Sequence, residues 1–106
     1  MKLMTKEISE QAQKQYPLGS DMDQLIVAKF FDPQGSWVWF LMNEDPDDLD
    51  YLWGIVQGFE VEMGSFSLGE LQSFRGRFGL GIERDLYFTP ITAKELWEKL
   101  NKGVHV

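Results

Sequence analysis

The sequence contains no cysteine. That removes disulfides, thiolate zinc sites, iron–sulfur ligation and cysteine nucleophiles in one step. It also agrees with a reducing compartment, so a cytoplasmic protein is expected. Histidine is nearly absent too: His105 is the only one. A triad or a histidine metal site needs an oriented imidazole. Neither is expected from a terminal segment, where order is usually low. Ser65, Ser67 and Ser73 are then left without a base. No metal and no cofactor are expected. No apolar run approaches the ~18 residues of a membrane helix. The opening Met1-Lys2-Leu3-Met4 lacks the apolar core of a signal peptide. A membrane role is not expected.

Positive charge is missing from the middle of the chain. Between residues 36 and 62 there are seven carboxylates and no lysine or arginine. The net charge of the whole chain is −7, so this segment accounts for all of it. Phosphates would be repelled, which disfavours nonspecific contact with nucleic acid or anionic lipid. Weak binding to duplex DNA at physiological salt is the expectation.

What is present is the composition of a globular protein. The chain has 106 residues, 43% of them hydrophobic, with 8 Phe and 4 Trp. A single domain over 1–106 is expected. Thr5 can cap a helix running to about Gln15, with Ile8, Ala12 and Gln15 on its inner stripe, thinly apolar and loosely docked. Leu25–Phe31 and Ser36–Met42 read as strands joined by the turn Asp32-Pro33-Gln34-Gly35. The second strand is apolar on both faces. Trp37, Trp39 and Leu41 share one; Val38, Phe40 and Met42 share the other. A strand of that kind is covered on both sides, so Trp37, Trp39, Trp53 and Trp97 are expected in the core. Asn43–Asp50 reads as an acidic loop. Tyr51–Phe59 and Val61–Phe66 read as two more strands. Gly54 and Gly58 in the former mark a bulge or a close backbone approach. Ser67 and Glu70 form a capping box, as do Thr92 and Glu95, each opening a helix. Glu83–Phe88 reads as a short strand between them. The whole is an α+β fold: an antiparallel sheet of four to five strands with about three short helices packed on it.

Several segments together are similar to a known family. They include Lys2-Leu3-Met4-Thr5-Lys6, Lys29-Phe30-Phe31-Asp32-Pro33 and Ser36-Trp37-Val38-Trp39. Further on come Gly58–Gly64, Phe66–Leu71 and Gly79–Asp85. In this combination the chain resembles the domain-of-unknown-function family DUF2958, from Lys2 to about Pro90. The resemblance implies a small bacterial protein of the kind met on plasmids, phages and integrative elements. It brings no catalytic residues to carry over.

Four constellations could carry function. The loop carboxylates Glu44, Asp45, Asp47, Asp48 and Asp50 would meet a basic patch on a partner protein; they lack the glycine and terminal glutamate of a calcium loop. Arg75, Arg77 and Arg84 among Gly76, Gly79 and Gly81 could clamp an anion. Glu60 and Glu62 share one strand face, a spacing open to acid–base chemistry. The aromatic set Trp37, Trp39, Phe40, Trp53 and Trp97 could stack bases if exposed. The leading expectation is a non-enzymatic accessory protein of a mobile element that binds a protein partner, such as a DNA-processing or defence component. The acidic face would be its contact, and a homodimer is compatible with it. The alternatives are a nucleic-acid binder using Arg75, Arg77 and Arg84 with aromatics, or a small enzyme of unrecognised mechanism using Glu60, Glu62 or Arg84.

Overall fold

A computed structural model of the protein describes residues 2–106. The elements in chain order are α1 (Lys6–Gln15), β1 (Ala28–Phe31), β2 (Val38–Asp45), β3 (Asp48–Gln57), β4 (Val61–Ser67), α2 (Leu68–Ser73), β5 (Glu83–Arg84) and α3 (Ala93–Asn101). All strands form one antiparallel sheet in the order β4-β3-β2-β1-β5. The fold is α+β, as the strand and helix pattern implies.

Local chemistry starts each helix. The side chains of Thr5, Ser67 and Thr92 accept from the N–H of Ile8, Glu70 and Glu95. Each satisfies a donor that the first turn would otherwise leave free. The two apolar faces of β2 then build two cores. Trp39 and Leu41 join Phe30, Leu52, Ala12 and Leu71 beneath α1 and α2. Phe40 and Met42 join Ile26, Ile55, Leu96 and Leu100 beneath α3. The sheet is therefore sandwiched between helical layers, and β2, in the middle, is buried from both sides.

Several expectations are corrected. There is no acidic loop over 43–50. The ladder continues through Asp45, and β3 begins at Asp48, so these residues form a hairpin with a tight turn. The register slips between Leu41 and Asn43, which leaves Met42 as an extra residue on β2. This bulge changes the strand's phase. Glu44 consequently turns toward α1 and is only 2% exposed. Its Oε1 accepts from the Ser9 hydroxyl and, at 2.7 Å, from Gln13 Nε2. Helix α1 is thus firmly docked, through this contact and through the buried Gln15. Of the tryptophans expected to be mostly buried, Trp39, Trp53 and Trp97 are half-buried and packed against the two cores, while Trp37 departs at 36% exposed. The last short strand shrinks to Glu83–Arg84.

Candidate functional site

In an antiparallel sheet the β1–β2 and β3–β4 turns lie at one end and the β2–β3 turn at the other. Asp45, Asp47 and Asp48 therefore sit at the opposite end from Trp37 and Phe59. At the β2–β3 end, Asp45, Asp47 and Asp48 project from the hairpin. Asn43 Nδ2 donates to Gly19 O at 3.0 Å and to Gln24 Oε1 at 3.2 Å. These bonds hold the 19–24 loop, with Asp21 and Asp23, against the base of the hairpin. That contribution to the acidic end was not visible in the sequence, because it depends on Asn43 pairing across 24 residues.

Of the five hairpin carboxylates, three bond to groups outside the hairpin: Asp45 Oδ2 accepts from the Tyr16 hydroxyl at 3.2 Å, and Glu44 and Asp50 are held more fully. Glu44 is buried on α1. Asp50 accepts from Gly69 N at 2.7 Å and from Ser67 Oγ at 2.8 Å. The Gly69 N–H, and after it the Ser67 hydroxyl, hold the Asp50 carboxyl below the usual carboxylate range. A lowered folded value means that ionised Asp50 stabilises the native state. That contribution is complete above the unfolded value near ~4 and is lost as pH falls through the lower folded value. Asp50→Asn, which can still accept, is expected to narrow the loss of melting temperature between neutral pH and pH ~2. Parallel melts of the two proteins check this; equal losses would mean that Asp50 is not linked to folding.

The three arginines do not converge. Arg75 Nη1 donates to Gln72 O and Phe74 O, at the C-terminal end of α2. Arg84 Nη1 donates to Lys2 O and Leu3 O, tying the start of the chain to β5. Arg77 stands exposed in the connecting loop. Ser67 is an α2 cap, and Ser73 Oγ donates to Glu70 O. Among the described residues, no group of three Asp, Glu or His side chains is arranged to hold a metal ion. Among the described residues, no helix is long and apolar enough to cross a membrane.

Two of the larger concave surfaces lie on opposite sides of the sheet. The larger, about 650 Å³, lies beside β1 and the 85–87 segment and includes Phe31, Val38, Tyr87 and His105. Its central cation is already matched: Lys29 Nζ is 3.5 Å from Asp85 Oδ2 and donates to Val106 O at 2.8 Å. The second, about 530 Å³, lies under α2 and is walled by Trp37, Trp39, Phe66, Leu71, Phe74 and Ile82. Its rim carries Asp32 and Glu70. Strand pairing places a bare patch of sheet between two of its walls, Trp39 and Phe66. Trp39, Val56 and Glu62 form one cross-strand row, and Glu44, Leu52 and Phe66 form another. Between them, Gly54 lies opposite Gly64, so β3 and β4 place no side chain on this stretch of the face. A Cβ added at Gly64 would meet nothing within 4 Å. The apolar walls therefore face open space, the combination by which ligand and partner sites are recognised. Glycines 54 and 64 could have signalled it, but only once their register was known.

The family's sequence model, described as a protein of unknown function, matches residues 2–103. The chain belongs to the DUF2958 family. No curated protein and no solved structure matches it. The groove of this DUF2958 protein is therefore argued from its own chemistry. Its walls are apolar and its rim carboxylates carry no ion pair among the described residues. It can bury apolar side chains and favour positive charge at its edge.

Proposed function

We propose that this protein is a non-enzymatic binding module whose groove takes an apolar segment of a partner protein flanked by basic residues. The observation that carries the reading is the open groove of about 530 Å³ walled by Trp39, Phe66, Leu71 and Phe74, with the Gly54–Gly64 pair between the Trp39 and Phe66 rows of the sheet. Large apolar walls left open to solvent favour association, because covering them releases water at roughly 25 cal/mol per Å². The charge supports a basic partner. Asp45, Asp47 and Asp48, with Asp21 and Asp23, add a distant negative field that speeds encounter without touching the groove. The likeness to proteins of mobile elements supports a cytoplasmic DNA-processing or defence component as the partner.

The test uses a photo-cross-linking residue placed at Phe74 in the groove or at Glu98 on the outer face of α3. Bacterial lysate is treated with nuclease beforehand. A cross-linked protein is expected from position 74 and not from 98. Gly64→Leu, which adds bulk in open space between the Trp39 and Phe66 rows, is expected to abolish the product. Association of the purified pair is expected to slow as salt rises. Asp45→Asn, Asp47→Asn and Asp48→Asn together are expected to flatten that salt dependence. Equal cross-linking from both positions, or a product unaffected by Gly64→Leu, would refute the groove; dependence on nucleic acid would favour the arginine-based alternative.

A further inference from the structure

A smaller notch adjoins the groove, with Trp37 as the wall between them. It measures about 190 Å³ and is lined by Trp37, Val56, Gly58, Phe59, Glu60 and Glu62. That is below the ~300–1,000 Å³ of small-molecule sites, but it suits the end of one side chain. The rings of Trp37 and Phe59 lie 5.4 Å apart at 82°, so they make two near-perpendicular walls of a corner. The position of Trp37 is fixed by what lies beneath it. A Cβ at Gly58 would fall 2.5 Å from the indole, so only glycine lets the ring rest on the β3–β4 turn. Phe59 is 95% exposed, a costly place for a phenyl ring that contacts nothing else of stated function. Glu60 and Glu62 close the corner. No hydrogen bond or ion pair from the described residues engages either carboxylate.

We infer that this notch binds the guanidinium of an arginine carried by the partner segment. The inference rests on the groove reading and names the charged residue that lies next to the segment's apolar part. Two π faces and two unpaired carboxylates around one small volume complement a cation. A neutral or anionic group would leave the carboxylates repelled or unmatched. Guanidinium fits better than ammonium for geometric reasons. It is planar, it stacks on indole, it sheds water more readily, and its fork can donate to a carboxylate while its face lies on the ring. The chemistry also gives Glu60 and Glu62 a role that needs no catalytic step.

The probe is N-acetyl-arginine methylamide, titrated into the uniformly ¹⁵N-labelled protein. The Trp37 indole signal is assigned by Trp37→Phe. The arginine amide is expected to shift that signal and the amides of residues 58–62 saturably. The citrulline amide, its neutral isostere, is expected to shift none of them. Phe59→Ala and the pair Glu60→Gln with Glu62→Gln, all at exposed positions, are each expected to weaken binding by about tenfold or more. Absence of a saturable shift would overturn the proposal, as would an equal response to citrulline or unchanged binding in both variants. Lysine or trimethyllysine amides binding as tightly as arginine would overturn the guanidinium assignment. These failures would leave the Gly64→Leu cross-linking result standing, so loss of the notch and loss of the groove are separate outcomes.

Discussion

Gly54→Ala is expected to destabilise the protein by about 3 kcal/mol or more, whereas Gly64→Ala should stay within about 1 kcal/mol of the parent. The two glycines are paired in the same ladder, and neither has a positive φ. Backbone freedom is therefore not what separates them. Space is. A Cβ on Gly54 would collide with the carbonyl oxygen of Phe40 and lie 3.1 Å from Met42 N. Both are main-chain atoms of β2, beside the bulge, and cannot swing aside as a side chain would. Relief requires β2 and β3 to part where both cores are densest. At Gly64 the added methyl meets open solvent, and reduced freedom of the unfolded chain can even stabilise slightly. Urea unfolding of the two variants beside the parent checks this. Equal midpoints would show that the close approach at Gly54 is not limiting.

That close approach was legible in the sequence as a glycine interrupting a strand, and Gly58 likewise. So were the helix starts, since Thr5, Ser67 and Thr92 act on N–H groups three residues away. Such signals are local and survive without tertiary knowledge. What stayed hidden depends on register. The bulge at Met42 adds one residue and so moves Glu44 from an expected solvent loop to a buried place on α1. Nothing in Asn43-Glu44-Asp45 announces it. Trp37 shows a second limit. Alternation assigned it correctly to the Trp39 face, but alternation cannot say how far the covering layer extends. Helix α2 and its following loop leave the β1–β2 end of that face uncovered, so Trp37 is exposed there. The groove needed two facts at once: the register that sets the Trp39 and Phe66 rows on one face, and the reach of α2.

The bulge also sets the second large effect. Gln15→Leu is expected to cost about 2–4 kcal/mol, although it keeps an apolar side chain of similar size in a buried position. Gln15 Nε2 donates to Met42 O at 2.7 Å and to Leu25 O at 2.9 Å, while its Oε1 accepts from Leu25 N at 3.2 Å. Its amide thus stands in for a strand at the point where β2 has one residue too many. Leucine would leave these main-chain groups without it. Water can reach Leu25, which is half exposed, but Met42 is fully buried, so its carbonyl would bear most of the loss. Gln15→Glu separates hydrogen bonding from packing. An ionised carboxylate there would face the Met42 and Leu25 oxygens with no proton to give. Burial and those oxygens would raise its folded pKa above the unfolded value. Its stability relative to the parent should therefore fall as pH rises through that folded pKa and recover as pH drops. Lys14→Gln, on the exposed side of α1 with no side-chain partner among the described residues, is the control and should change stability little. The measurements are unfolding midpoints at neutral and mildly acidic pH, with hydrogen exchange at Asn43 and Trp53 reporting the bulge. If Gln15→Leu matches the parent in both, the bulge closes its own hydrogen bonds and Gln15 is only a filler of space.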